Sequence, residues 1–320
     1  MTDLNDIIPE GAPAGAPPPG VAPNYDNPQS MAPALSVLGF FLSLALLAVF
    51  IRVFVRFRFT KTWWWDDYTC IVAAAGSLTY AILYSKISVS DPVKHVWDID
   101  ISSYPNAIIT QSLSVNGAVY QIAIFFTKLS ILLLYLRIFS VNRTFTRVTI
   151  ATIVIFTLTY IPLASLAIAF LVACDDLGKL IEEPFCSGYS IPALLFSAIF
   201  NVITDIWLLL LPFPLLVRLQ LQTRQKLGLA AVFAAGLGAC SASIARLAEI
   251  LAHRGSTDYT WSQGIVAGFS NAEINIGIIV ACASTFPVFV GQVKEWFTHI
   301  RNHSKHTRLT GSEPESCQTT

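Results

Sequence analysis

Four ionisable side chains lie where an apolar chain has least use for them: Lys128, Asp205, Arg246 and Glu273. Each is embedded in a run of Ala, Ile, Leu, Val and Phe long enough to cross a bilayer. A charge at bilayer depth costs a few kcal/mol to insert, so such a side chain turns inward and finds a partner. With the rise of an α-helix, Lys128, Asp205 and Glu273 reach similar depths near the middle of their runs. A pair of Lys128 with Asp205 or Glu273 is therefore physically reasonable. Arg246 and Glu249 lie nearer the outer end of theirs, and Asn201, Asn271, Asn275, Ser241 and Ser243 add polar groups to the same runs. Two chemistries fit this set. One is a polar ligand or ion site opening outward between the third, fifth, sixth and seventh runs. The other is a lattice of ion pairs and hydrogen bonds that fixes packing. No nucleophile–base pair and no metal triad accompanies them, so no enzymatic activity, metal or cofactor is expected.

The elements that must position these residues are legible from hydropathy. The chain of 320 residues is 54% hydrophobic and 12% charged, against roughly 25% charged in soluble domains. Seven apolar stretches of the length a bilayer requires run over about 33–55, 67–89, 108–139, 148–173, 191–217, 227–252 and 262–290. The turns between them alternate in charge. One side collects Arg52, Arg56, Arg58 and Lys61; Arg137, Arg143 and Arg147; Arg218, Arg224 and Lys226; then Lys294, Arg301, Lys305 and Arg308. The other side has only Lys86, Lys94, Lys179 and Arg254. Cytoplasmic loops are enriched in Lys and Arg. The expectation is an all-α bundle of seven transmembrane helices, its N-terminus outside and its C-terminus cytosolic. Its partners would be the lipid bilayer, an unknown extracellular ligand and a signalling partner at the basic inner loops. No basic stripe with interleaved aromatics offers itself to nucleic acid.

The flanks read differently. Residues 1–32, rich in Pro, Gly and Ala, read as a disordered extracellular tail. The membrane domain is expected over 33–291. Val293, Trp296, Phe297 and Ile300 recur with helical spacing, which predicts a short interfacial amphipathic helix over 292–304, followed by a disordered cytosolic tail at 305–320. Trp63, Trp64 and Trp65 read as an interfacial anchor. Asp66 and Asp67 after them either cap the second helix or clasp Arg52, Arg56 or Arg58, and both can hold together. Arg137 reads as a basic-side anchor.

Cys174 and Cys186 flank the loop between the fourth and fifth helices, on the oxidising side, and are a candidate disulfide. Asp175, Asp176, Glu182 and Glu183 make that loop acidic. With His95 they lack metal-site spacing, and a solvated face is expected. The sequons at Asn142 and Asn302 fall on the cytosolic side, where they stay unused. A retinal Schiff base needs a lysine in the seventh helix, and there is none between Ser262 and Gln292.

Several stretches together resemble the fungal rhodopsin-domain integral membrane proteins of filamentous ascomycetes. They are Lys128 to Phe139 (KLSILLLYLRIF), Asn201 to Asp205 (NVITD) followed by LLLLPFP, Gln225-Lys226-Leu-Gly-Leu, and Asp66-Asp67-Tyr68. Cys240, Ser243 and Arg246 in the sixth helix fit as well, as does Glu273 with Gly277-Ile-Ile-Val-Ala-Cys282. The resemblance covers roughly 35–295. It implies seven helices, an outside N-terminus and a plasma-membrane location, and it includes receptor-like members and members beside toxin biosynthetic genes. A receptor-like sensor of an extracellular or surface cue is the expected function. The alternative is an accessory membrane protein of a secondary-metabolite cluster that transports or houses an apolar intermediate. The chain departs from the family pattern at Ala281 to Pro287 (ACASTFP), where Leu-Pro usually follows the cysteine soon after.

Overall fold

The computed structural model describes residues 13, 15–25, 32–90, 94–99, 106–173, 190–217, 223–253, 258–296 and 298. Seven helices in it are long and apolar enough to cross a membrane. They are α1 (Ala32–Val55), α2 (Trp65–Ser90), α3 (Asn106–Phe139), α4 (Arg143–Ala173), α5 (Ser190–Leu210), α6 (Thr223–Ala252) and α7 (Tyr259–Cys282). Neighbours in sequence pack side by side, and α7 closes the ring against α1 while also touching α2 and α3. The chain belongs in a bilayer by its surface: Phe40, Phe50, Phe57, Leu158, Val172 and Ile203 are all more than half exposed. In water such a surface would aggregate.

The helix ends have local causes. Asn142 caps α4, its Oδ1 accepting from the N–H groups of Thr144 (3.1 Å) and Phe145 (3.2 Å). α4 therefore starts at Arg143, a turn earlier than hydropathy alone predicts. At the start of α2, Asp67 Oδ2 reaches back to the Trp64 N–H at 3.1 Å, half of a capping box. α1 ends in a π-helical turn, Arg56–Thr60, closed by Lys61 at φ 49°. Pro212 cannot donate to the α5 ladder, so α5 stops at Leu210 and a short turn of helix resumes at Phe213–Val217. α7 tightens to a 3-10 turn at Ala283–Thr285, because Pro287 has no N–H for the carbonyl of Ala283. Helix then continues over residues 286–296. The membrane helix and the beginning of the expected interfacial helix are thus one element, interrupted by the 3-10 turn, as far as it is described.

Small residues let the central helices approach. A Cβ built on Gly76 of α2 would sit 3.0 Å from the Cβ of Ala123 on α3. One on Gly277 of α7 would sit 2.6 Å from Cγ2 of Thr127, also on α3. Such contacts replace the hydrophobic drive that lipid does not supply between membrane helices. They also leave α3 and α7 with facing polar side chains buried between them. One short 3-10 turn, Val96–Asp98, lies between α2 and α3. Part of the N-terminal tail rests on it, the Asn24 N–H donating to Asp98 Oδ1 at 2.9 Å.

Candidate functional site

Lys128 is 1% exposed, and its ammonium reaches α5. Nζ lies 2.8 Å from Asp205 Oδ1 and donates to Asn201 Oδ1 (2.7 Å), the Asn201 carbonyl (3.1 Å) and Thr204 Oγ1 (2.6 Å). An ammonium has three protons, so four oxygens at these distances saturate it. Tyr160 of α4 closes the back, its hydroxyl bonding Asn201 Oδ1 at 3.1 Å and Thr204 Oγ1 at 3.2 Å. Asn201, Thr204 and Asp205 can converge on one cation because positions three and four apart share a helix face.

Asn201 passes the network on to α7. Its amide donates to Glu273 Oε1 at 2.7 Å, and Tyr120 of α3 donates to both Glu273 oxygens at 3.2 and 3.3 Å. Arg246 of α6 lies on the far side. Its Nε is 3.7 Å from Glu273 Oε2, too long for a hydrogen bond, and its guanidinium carbon stands 4.6 Å over the Tyr120 ring. Arg246 is 3% exposed, yet Nε and Nη2 have no hydrogen-bond partner among the described residues. The same holds for the buried Oδ1 of Asn116, one turn before Tyr120 on α3. Two cations and two carboxylates thus share one buried neutral cluster, satisfied at the Lys128 end and unsatisfied at the Arg246 end.

Lys128, Asp205, Asn201, Glu273 and Arg246 are therefore brought together, and of the two partners open to Lys128 it takes Asp205. Asn275 is placed elsewhere: it accepts from Ser77 of α2 at 2.8 Å and donates to Asn271. Sequence reasoning missed Tyr120, Tyr160 and Thr204. An aromatic residue in an apolar run carries no signal that its hydroxyl has a partner. Thr204, by contrast, follows Asn201 at the spacing that puts both on one face. Cys174 and Cys186 lie outside the described residues, as do the acidic positions between them.

A cavity of about 910 Å³ reaches the cluster between α3, α5, α6 and α7. Lys128, Asp205 and Glu273 line its deep end. Ile138, Phe139, Pro212, Val232 and Val290 lie toward the other, where α3 and α5 finish and α6 begins. Among the described residues the cavity thus runs to the basic end of the bundle, whereas the sequence suggested an opening to the opposite face. The polar residues face it only at that deep end and in a few places near the mouth.

At the same basic end, Arg52 is fully buried between two aspartates. Its Nη2 is 2.5 Å from Asp66 Oδ2 and its Nε 2.8 Å from Asp67 Oδ1, while Nη1 donates to the carbonyl of Ala281 where α7 tightens. Arg56 Nε adds a bond to Asp67 Oδ1 at 3.1 Å, its side chain turned inward by the π-helical turn. Arg137 of α3, expected only as an anchor, completes the clasp at 3.1 Å from Asp66 and 3.4 Å from Asp67. Arg58 is exposed. One turn deeper, Cys70 and Cys282 face each other with sulfurs 3.6 Å apart.

At the opposite end His95 is stacked between Trp97 (4.5 Å between centroids) and Trp261 (4.2 Å). Its Nδ1 is 2.6 Å from Asp258 Oδ2, and the Val96 N–H donates to the other oxygen of Asp258 at 3.0 Å. This clamp ties the segment before α3 to the start of α7.

The fungal rhodopsin domain matches residues 51–291, which take in both polar centres and all of the cavity lining except Lys294. The chain belongs to that family. Two curated relatives share parts of it. A SAT4 family membrane protein of Emericella nidulans is 35% identical over 203 residues, which is 62% of this chain and 49% of the relative. Receptor GIN3 of Arthrobotrys oligospora is 23% identical over 282 residues, or 83% of this chain and 64% of that receptor. The chain therefore spans about half the length of the first relative and under two thirds of the second. No solved structure matches it. Within this fungal rhodopsin domain the ionic clasp and the buried cluster occupy opposite faces of α3, one at its end and one at its middle.

Proposed function

We propose that this receptor-like membrane protein senses an extracellular or surface cue through the cluster of Lys128, Asp205, Arg246 and Glu273. The observation that carries the reading is Arg246, a buried guanidinium with two nitrogens unpartnered among the described residues. A buried donor without an acceptor costs free energy. A cue that brings acceptor oxygens to Arg246 and a donor to Asn116 Oδ1 removes that cost, draws Arg246 from Glu273 and shifts the packing of α6 against α3 and α7. The stimulus acts by differential affinity for two arrangements. The output face is the basic end, which the positive-inside bias assigns to the cytosol of a plasma-membrane protein with its N-terminus outside. The Arg–Asp clasp there holds α1, α2 and α3 together while α6 moves.

The names of the two relatives, a membrane protein and a receptor, support a non-enzymatic role. One observation favours a second reading, an accessory protein of a secondary-metabolite cluster that houses an apolar intermediate: the cavity is large and mostly apolar. A deletion strain separates the two. On the receptor reading it loses its transcriptional response to the cue, wild type restores the response, and Arg246→Gln and Asp205→Asn reach the membrane without restoring it. Altered metabolite yield or export with an intact response refutes that reading in favour of the second.

A further inference from the structure

The chemistry of the cavity's deep end selects a ligand class. Lys128 has no proton to spare, since its three are committed to Asp205, Asn201 and Thr204. Asp205 is the less satisfied partner. Its Oδ1 meets Lys128, but among the described residues its Oδ2 has only the Asn201 amide at 3.5 Å, the longest hydrogen bond in the network. Asp205 is also the more exposed of the two, its side chain 8% exposed against 2% for Lys128, and it lines the cavity. Glu273 lines it too. The deep end therefore offers carboxylate oxygens as acceptors and no free donor. Above it the walls are apolar (Ile131, Leu134, Leu208, Ala235 and Ala239), and Ser284 and Lys294 are the donors toward the mouth. From Lys128 to Phe139 the cavity follows α3 for about 17 Å along the helix rise. Its volume lies within the usual range of small-molecule sites.

We infer that the cavity binds a long-chain or sterol-sized amphiphile whose polar end donates hydrogen bonds, a hydroxyl or an amine, and that this end docks on Asp205. A carboxylate or phosphate head is disfavoured at the deep end by the same geometry, because it would bring a third anion to Asp205 and Glu273 and find no free donor among the lining residues there. A ligand with so apolar a body partitions into lipid, so it arrives from the bilayer at the basic end. This goes beyond the proposed sensing of an outer cue at Arg246. It assigns a second, membrane-borne ligand to the other side of the same cluster. Its binding is scored without any signalling response, so the two ideas can fail separately.

The experiment uses the full chain in nanodiscs of a neutral lipid. Saturable binding of tritiated tetradecan-1-ol is measured, with tetradecylamine and tetradecanoate as competitors. Loss of a charge-assisted hydrogen bond together with added repulsion makes the carboxylate weaker than the alcohol and the amine by about tenfold or more. Asp205→Asn brings the three heads close to parity. Ala239→Phe, which fills the apolar part, abolishes saturable binding of all three. The inference is overturned if wild type shows no saturable binding, if the carboxylate competes as well as the amine, or if Ala239→Phe binds normally. Should Asp205→Asn fail to fold, the wild-type series and Ala239→Phe still decide.

Discussion

Breaking the Lys128–Asp205 pair from either side should not cost the same. Removing one member of a buried ion pair strands the other charge, and the typical loss is about 3–5 kcal/mol. The structure says which half of that range applies to each. In Asp205→Asn the ammonium keeps Asn201 Oδ1, the Asn201 carbonyl and Thr204 Oγ1, all within 3.1 Å, so the loss is near 3 kcal/mol. In Lys128→Met the Asp205 carboxylate keeps one contact at 3.5 Å and faces a second carboxylate in the same cluster. That loss is near 5 kcal/mol. At about 2–3 °C per kcal/mol for a chain of this size, the drops in Tm are about 6–9 °C and 10–15 °C. In the double variant Lys128→Met, Asp205→Leu, the oxygens of Asn201 and Thr204 still bond Tyr160. No charge is stranded on either side of the pair, so the double variant lies within about 2 kcal/mol of wild type. The assay is thermal unfolding in detergent with a thiol-reactive dye, because Cys70 and Cys282 are buried and free and become reactive on unfolding. Two results refute the reasoning: an Asp205→Asn drop as large as that of Lys128→Met, or a double variant in which the two losses add.

The other predictions use the same assay unless stated. Arg52→Ala, which leaves two buried aspartates short of a partner, costs about 3–5 kcal/mol, and Arg52→Lys does not restore it because a single ammonium nitrogen cannot take the places of Nε, Nη1 and Nη2, which the planar guanidinium presents to three separate acceptors. Arg137→Ala, with a quarter of that side chain exposed, costs about 1 kcal/mol or less; equal losses at the two arginines would contradict the burial difference. Gly76→Val forces α2 from α3 and costs about 1–3 kcal/mol, read also as lowered yield of folded protein. Asn142→Ala costs about 1 kcal/mol and speeds hydrogen exchange in the first turn of α4, whereas Asn142→Asp leaves exchange there slow.

The seven helices were legible because lipid imposes a length and a polarity that sequence cannot disguise, and no comparable rule governs what happens inside the bundle. The depth of Lys128, Asp205 and Glu273 could be counted along each helix, which brought the charges together. Which face each presents depends on helix rotation, and rotation is set by contacts such as Gly76 on Ala123. This is why Asn275, one turn from Asn271 and two positions from Glu273, turned to Ser77. Arg137 looked like one more loop arginine, because the reach of a long side chain back into the bundle has no counterpart in hydropathy. The start of α4 was readable in principle: Asn142 followed by Arg-Thr is a cap, and a hydrophobic window passes over it. The cavity was not readable at all. It is what remains where α3, α5, α6 and α7 fail to meet, and a sequence lists what is present.

The bond from Arg52 to the Ala281 carbonyl makes the bundle mechanically uneven. It pins α7 just before its 3-10 turn to the stiff triangle of α1, α2 and α3, so the turn becomes a fulcrum. The arm beyond it, residues 286–296, carries one wall of the cavity. Whatever fills or leaves that cavity swings a short lever against a fixed post. Spin labels on that arm and on α3 should therefore report a distance that varies with occupancy, while labels placed across α1 and α2 report one that does not.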